Sequence, residues 1–162
     1  MKILYKSLFW ASLCFLTSCY KQKACFTSNL YSGDIKKVLG NCKKGGGGDF
    51  AEIKIDNAYV YLTETAYKKA VSQGGICNFE NIDFNSYSVV GCEVDYLDSA
   101  YFNREIEIDH TNKIIKYHIT ITSTKRRFQL RRRVFFESNM VLVPKVSKDY
   151  ILETQISESI CD

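Results

Sequence analysis

From residue 50 onward, apolar and polar positions alternate with a period of two in short runs, the signature of strands with one buried face. The runs are Phe50 to Ile55, Ala58 to Leu62, Ser86 to Val94, Arg104 to Asp109, Ile114 to Thr122, Phe128 to Phe136, Met140 to Val143 and Tyr150 to Ile156. In the second run Ala58, Val60 and Leu62 share one side, and Tyr59 and Tyr61 take the other. The clearest hairpin surrounds DHTNK, Asp109 to Lys113. Ile106 and Ile108 face inward on one arm and Ile115, Tyr117, Ile119 and Ile121 on the other, while Lys116, His118 and Thr120 face water. Pro144 ends the Met140 to Val143 run because it has no N–H to give a ladder.

One segment changes period. TETAYKKAVSQGG, from Thr63, predicts a helix with Thr63 or Thr65 as cap, Glu64 in its first turn and Gly74-Gly75 as its stop. Its apolar stripe, Ala66, Tyr67, Ala70 and Val71, should cover a sheet face. Upstream, Asp34 to Leu39 suggests about two helical turns with Ser32 as cap. Gly45 to Gly48 then mark a flexible joint or wide loop. No Lys-Ser/Thr follows those glycines, so a phosphate-binding P-loop is not expected. The fold class expected is α+β: a mostly antiparallel sheet or sandwich with one main helix, lipid-anchored by an N-terminal tether.

The N-terminus reads MKILYKSLFWASLCFLTSC. Lys2 and Lys6 precede an apolar run, Leu8 to Leu16, shorter than the ~20 residues of a spanning helix. The run closes on Leu16-Thr17-Ser18-Cys19, which resembles the lipobox of bacterial lipoproteins, with cleavage before Cys19. Acyl chains on one thiol contribute about 0.8 kcal/mol per buried CH₂, so two or three hold a domain on a membrane. The competing reading is an uncleaved, buried N-terminal helix in a cytosolic protein. The expected organisation is a signal peptide over 1–18, a tether with a short helix and Gly-rich loop over 19–49, one β-rich domain over 50–158, and a tail over 159–162. Residues following Cys19 lack an acidic run, which favours an outer-membrane anchor facing the periplasm.

Seven cysteines then take on meaning. Cys14 leaves with the signal and Cys19 is lipidated, leaving Cys25, Cys42, Cys77, Cys92 and Cys161, an odd set for an oxidising compartment. Cys77 and Cys92, enclosing residues 78–91, are the expected disulfide. Cys25 or Cys42 with Cys161 is a further possibility, and at least one thiol stays free or joins another molecule. Without C-x₂-C pairs and with two histidines, His110 and His118, neither a metal nor any other cofactor is expected. The formal charge of +4 includes two leader lysines, and so mild a balance in an exported chain argues against nucleic acid.

Segments 80–91 (ENIDFNSYSVVG) and 141–146 (VLVPKV) resemble the "IDF…Y…lvG" and "lvPK" segments of small lipoproteins of Bacteroidota, similar to the PrcB-like C-terminal domain. The resemblance spans about residues 58–156, within a single-domain span. It implies a compact exported β-rich domain, in some relatives associated with stabilising a protease, and carries over no catalytic residue. This chain departs from it at Cys92 and in an arginine-rich strand.

That strand, KRRFQLRRR over 125–133, is the local anomaly. Strand geometry places Lys125, Arg127, Gln129, Arg131 and Arg133 outward and Phe128, Leu130, Val134 and Phe136 inward, with Arg126 and Arg132 at the ends of the apolar side. The outward set is either a solvated face balanced by Glu105, Glu107 and Glu137, or an anion-binding strip of Lys125, Arg127, Arg131 and Arg133. Such a strip suits lipid headgroups, lipopolysaccharide phosphates or an acidic envelope protein. Glu105, Glu107 and Asp109 have the ordinary pattern of a wet sheet face, and no catalytic residue is assigned. The function expected is therefore a non-enzymatic, lipid-anchored accessory or binding module. A periplasmic cysteine-dependent enzyme, with a reduced cysteine beside His110 or His118, is the alternative.

Overall fold

The computed structural model describes residues 28, 30–39, 47–74, 81–97, 100–124 and 134–161. It is an α+β fold of mostly antiparallel sheets with one main helix. The strands are β1 (Leu30–Gly33), β2 (Lys37–Val38), β3 (Ile53–Ile55), β4 (Ala58–Tyr61), β5 (Tyr87–Leu97), β6 (Ala100–Asp109), β7 (Ile114–Thr124), β8 (Val134–Pro144) and β9 (Ile151–Cys161); α1 is Glu64–Gly74. One sheet has the order β1-β6-β7-β9 and the other β2-β8-β5-β4-β3.

Alternation decides what each sheet buries. Ala58, Val60, Val90, Cys92, Val141 and Val143 of the five-stranded sheet share a core with Phe102, Ile106, Ile108, Ile115, Tyr117, Ile119, Ile121 and Leu152 of the four-stranded sheet. The other side of the five-stranded sheet offers Tyr59, Tyr61, Val89 and Met140, and α1 covers it with Tyr67 and Ala70. The expected division of β4 into two faces holds, and both faces are buried. Tyr59, Tyr61 and Tyr67 meet edge-to-face at 5.3 and 5.6 Å between ring centroids, a geometry that aromatic quadrupoles favour. Gly91 makes room for this layer, since a Cβ there would lie 2.2 Å from the Tyr59 ring.

The helix starts as expected at Thr63, whose Oγ1 accepts from Ala66 N at 3.3 Å. The Thr63 hydroxyl donates to Glu52 Oε1 at 2.5 Å, and Glu52 Oε2 accepts from Leu62 N at 2.9 Å, which ties the cap to the chain before β3. The β6–β7 hairpin is also as expected. Asp109 Oδ1 accepts from Thr111 N and Asn112 N, both at 2.9 Å, and Lys113 takes the left-handed conformation that closes the turn.

Several expectations are corrected. Asp34 to Leu39 is no helix: the chain leaves β1 through Gly33 at φ +73°, and crosses to β2 in the other sheet. Tertiary contacts override local propensity here. Ile35 is buried between the sheets and Leu39 on the helix side, two destinations that a short helix could not reach together. Asp34 seals the crossing, its N donating to Ile106 O at 2.7 Å and its Oδ2 accepting from Ile108 N at 2.8 Å. Within residues 30–39, β1 pairs with β6 of one sheet and β2 with β8 of the other, and the last strand, β9, runs to Cys161.

Gly47–Phe50 is a 3-10 turn, so β3 is shorter than the Phe50 to Ile55 run. Residues 134–136, the described end of the Phe128 to Phe136 run, and the Met140 to Val143 run lie in one strand, β8, because β5 pairs with it from Tyr87↔Pro144 to Leu97↔Val134. The antiparallel rule also has exceptions. β1 runs parallel to β6, and β9 parallel to β7.

Candidate functional site

The outer face of the four-stranded sheet is the open ground of the domain. Its register sets side chains in rows across β6, β7 and β9: Glu107–Lys116–Glu153, Glu105–His118–Gln155 and Asn103–Thr120–Ser157. Thr120 Oγ1 and Ser157 Oγ share a hydrogen bond of 3.0 Å, and Lys116 Nζ lies 3.8 Å from Glu107 Oε2. The first two rows line a shallow depression of about 540 Å³. Around it stand three carboxylates, Glu105, Glu107 and Glu153, against the ammonium of Lys116. His118 Nε2 is buried among them without a hydrogen-bond partner among the described residues. The face is therefore negative, wet and structurally regular.

The sequence-derived sites are distributed differently. Cys19, Cys77 and the strip Lys125, Arg127, Arg131 and Arg133 lie outside the described residues. Cys92 is a free thiol, wholly buried in the core between the sheets, while its expected disulfide partner Cys77 lies outside the described residues. Burial, assisted by the nearby Glu93 carboxylate, pushes that thiol up to about 12, so it stays protonated and unreactive at neutral pH. Neither histidine is beside it. His118 sits on the outer face of the other sheet, and His110, in the hairpin turn, bonds through Nδ1 to Tyr150 OH at 2.8 Å.

A polar group inside the sandwich escaped the sequence reading. Arg104 is fully buried and sends Nε and Nη2 to Asn139 Oδ1 at 3.0 and 2.6 Å, joining β6 to β8 across the core. Its guanidinium stands 5.0 Å from the Phe102 ring centroid. Tyr117 OH donates to Asn139 O at 3.1 Å, and burial drives this phenol well above its ordinary range. The signal was present: alternation with Ile106 and Ile108 puts Arg104 on the inward side. This group ties the two sheets together and lies away from the open face.

The two motif segments meet beside the start of α1. Asp83 accepts from Ser86 Oγ at 2.7 Å and Asn85 N at 3.0 Å, and those bonds, that from Ser86 foremost, hold its carboxyl below the usual range. Phe84 packs on Tyr67, with ring centroids 5.7 Å apart. Lys145 N donates to Ser86 O at 3.0 Å, Val146 N to Ser88 Oγ at 3.2 Å, and Lys145 Nζ to Leu62 O. Their work is to close the sheet against the helix.

Among the described residues, no group of three His, Cys, Asp or Glu side chains is placed to hold a metal ion, and no helix is long and apolar enough to cross a membrane. Comparison with protein-family models, with curated proteins and with solved structures finds no match for the chain.

Proposed function

We infer that the protein is a lipid-anchored, non-enzymatic binding or accessory module of the cell envelope, held through acylated Cys19 at an outer membrane and facing the periplasm. The observation that carries this reading is the distribution of burial. Both faces of the five-stranded sheet and one face of the other are closed by apolar packing, and the described free thiol, Cys92, is shut in that core. What stays open is a regular polar sheet face, suited to contact with a partner more than to covalent chemistry. The leader and the likeness of 80–91 and 141–146 to the PrcB-like C-terminal domain support an accessory role. From Cys19 to the start of β1 at Leu30 an extended chain spans at most about 40 Å, which would keep the domain close to its membrane.

Lys125, Arg127, Arg131 and Arg133 are the assigned contact for an anionic surface, whether lipid headgroup, lipopolysaccharide phosphate or acidic envelope protein. Their segment follows β7 and precedes β8 in the sequence. The test has two arms. Cys19→Ser in the full chain removes acyl labelling and membrane association; retained labelling overturns the anchor. Arg127, Arg131 and Arg133 replaced together by Gln lower binding to anionic liposomes and flatten its salt dependence. Equal binding by both proteins reduces the segment to a solvated surface.

A further inference from the structure

Edge strands are templates for pairing unless shortness, proline, lysine or a bulge blocks them. Three edge strands here are short, with β1 of four, β2 of two and β3 of three residues. β9 has eleven, and among the described strands only β7 pairs with it. Its register with β7 is unbroken from Ile151 to Cys161, and residues 151–159 contain no proline and no basic residue. Ile151 and Ile156 are 56% and 40% exposed.

The backbone direction is fixed by one bond. Ile151 N donates to Lys113 O at 2.8 Å, so the odd-numbered residues of β9 turn their N–H and C=O groups to β7. The even-numbered residues 152, 154, 156 and 158 turn theirs to the open side.

A second copy of this chain fits that edge in a particular register. With a two-fold axis at Ile156, Ile156 meets its own counterpart, Thr154 meets Glu158, Gln155 meets Ser157 and Glu153 meets Ser159. Both glutamates oppose hydroxyl side chains, and the even residues fall in hydrogen-bonding pairs. Moving the axis by one residue sets Glu158 against Ile156 or Leu152. An axis at residue 153 or 158 sets glutamate against glutamate. The strand β3 of the second sheet packs beside β9, and its Ile55 is also exposed.

We propose that two copies of the chain pair antiparallel along β9, centred on Ile156, into one continuous sheet. The inference is independent of the lipid anchor and of the arginine-rich segment. The depression that contains Glu153 and Gln155 lies next to the axis, so pairing joins the two depressions into one acidic groove. β1, nearest the anchor, is at the far edge of each sheet, about 14 Å from β9, and stays clear of the contact.

The test uses the full chain in detergent, with its mass followed by sedimentation across a concentration series. The wild type should reach twice the protomer mass. Ile156→Pro removes an edge-facing N–H but no bond to β7, so it should give a monomer with an unchanged melting temperature. Should that variant fail to fold, Ile156→Lys sets two lysines face to face at an exposed position and should likewise give a monomer. Ser159→Lys meets Glu153 of the second copy twice over and should tighten the dimer about two- to thirty-fold. A wild type that is monomeric at every concentration overturns the proposal and leaves the edge to an extended segment of another protein. A dimer that survives Ile156→Lys, or is indifferent to Ser159→Lys, overturns it as well.

Discussion

The two sheets of this domain solve the same packing problem unequally. The five-stranded sheet is antiparallel throughout, and its central strands bury side chains on both faces, one against the other sheet and one against α1. The four-stranded sheet buries one face, leaves the other polar, and takes its outer strands β1 and β9 in parallel from opposite ends of the chain. The first sheet therefore carries the rigidity. The second combines a rigid inner face with a surface that folding leaves free to vary, where evolution can place recognition at little cost in stability.

Substitutions on adjacent residues measure this difference most strongly. In β8, Met140→Ala on the helix side should cost about 2–5 kcal/mol and Val141→Ala on the inter-sheet side about 1–3 kcal/mol. In β7 the pair should split: Ile119→Ala costs about 2–5 kcal/mol, and His118→Ala changes stability by no more than about 0.5 kcal/mol. Denaturant unfolding of the four variants reads this directly. A costly His118→Ala would mean that the outer face is covered, and the contrast would fail.

Gly33→Ala tests how the four-stranded sheet acquires its edge. The residue sits at φ +73°, and a Cβ would come within 2.0 Å of Ile106 O. The expected loss is about 1–3 kcal/mol. It should be concentrated in faster amide exchange at Asp34 and Ile108, whose N–H groups belong to the crossing. Uniform loss across the domain would mean that β1 is integral to the core.

Cys92 sharpens the account of the inner face. With its thiol pushed up to about 12 by burial, the folded state resists ionisation. This contribution to stability is complete below the ordinary thiol range and declines as pH rises toward 12, where the unfolded chain can lose its proton first. In the native protein at pH 8, Cys92 should not react with a thiol reagent, and denaturant should release it; peptide mapping of labelled Cys92 follows this. Rapid native labelling would show the sandwich opening locally.

The smallest effect belongs to the rim. Hydrogen bonds from Lys113 and then Ser147 lower the Asp149 carboxyl to about 2 at an exposed site that pins the hairpin turn to the start of β9. Its stabilising contribution is present above the ordinary carboxylate range and is lost as pH falls toward 2. Carbon-detected titration of Asp149 should place its midpoint near 2, and Lys113→Ala should raise it. Little change in melting temperature between pH 7 and 5 is expected from this group.

What could be read from residue types is what depends on neighbours along the chain. Period-two runs identified β4 to β7, the hairpin at Asp109 to Lys113 and the two faces of β4, because a strand must send alternate side chains to opposite sides whatever it pairs with. Thr63, Glu64 and the stripe of α1 were legible for the same local reason. The burial of Arg104 was implied by that alternation and hidden by its charge. Only the folded chain decided that Gly33 to Leu39 crosses between sheets, that β1 and β9 run parallel to partners distant in sequence, and that the Cys92 thiol is enclosed. Those outcomes rest on contacts such as Asp34 with Ile108 and Arg104 with Asn139, whose partners no local pattern names. They settle only when two sheets compete for the same apolar interior and each buried polar group must find a partner there.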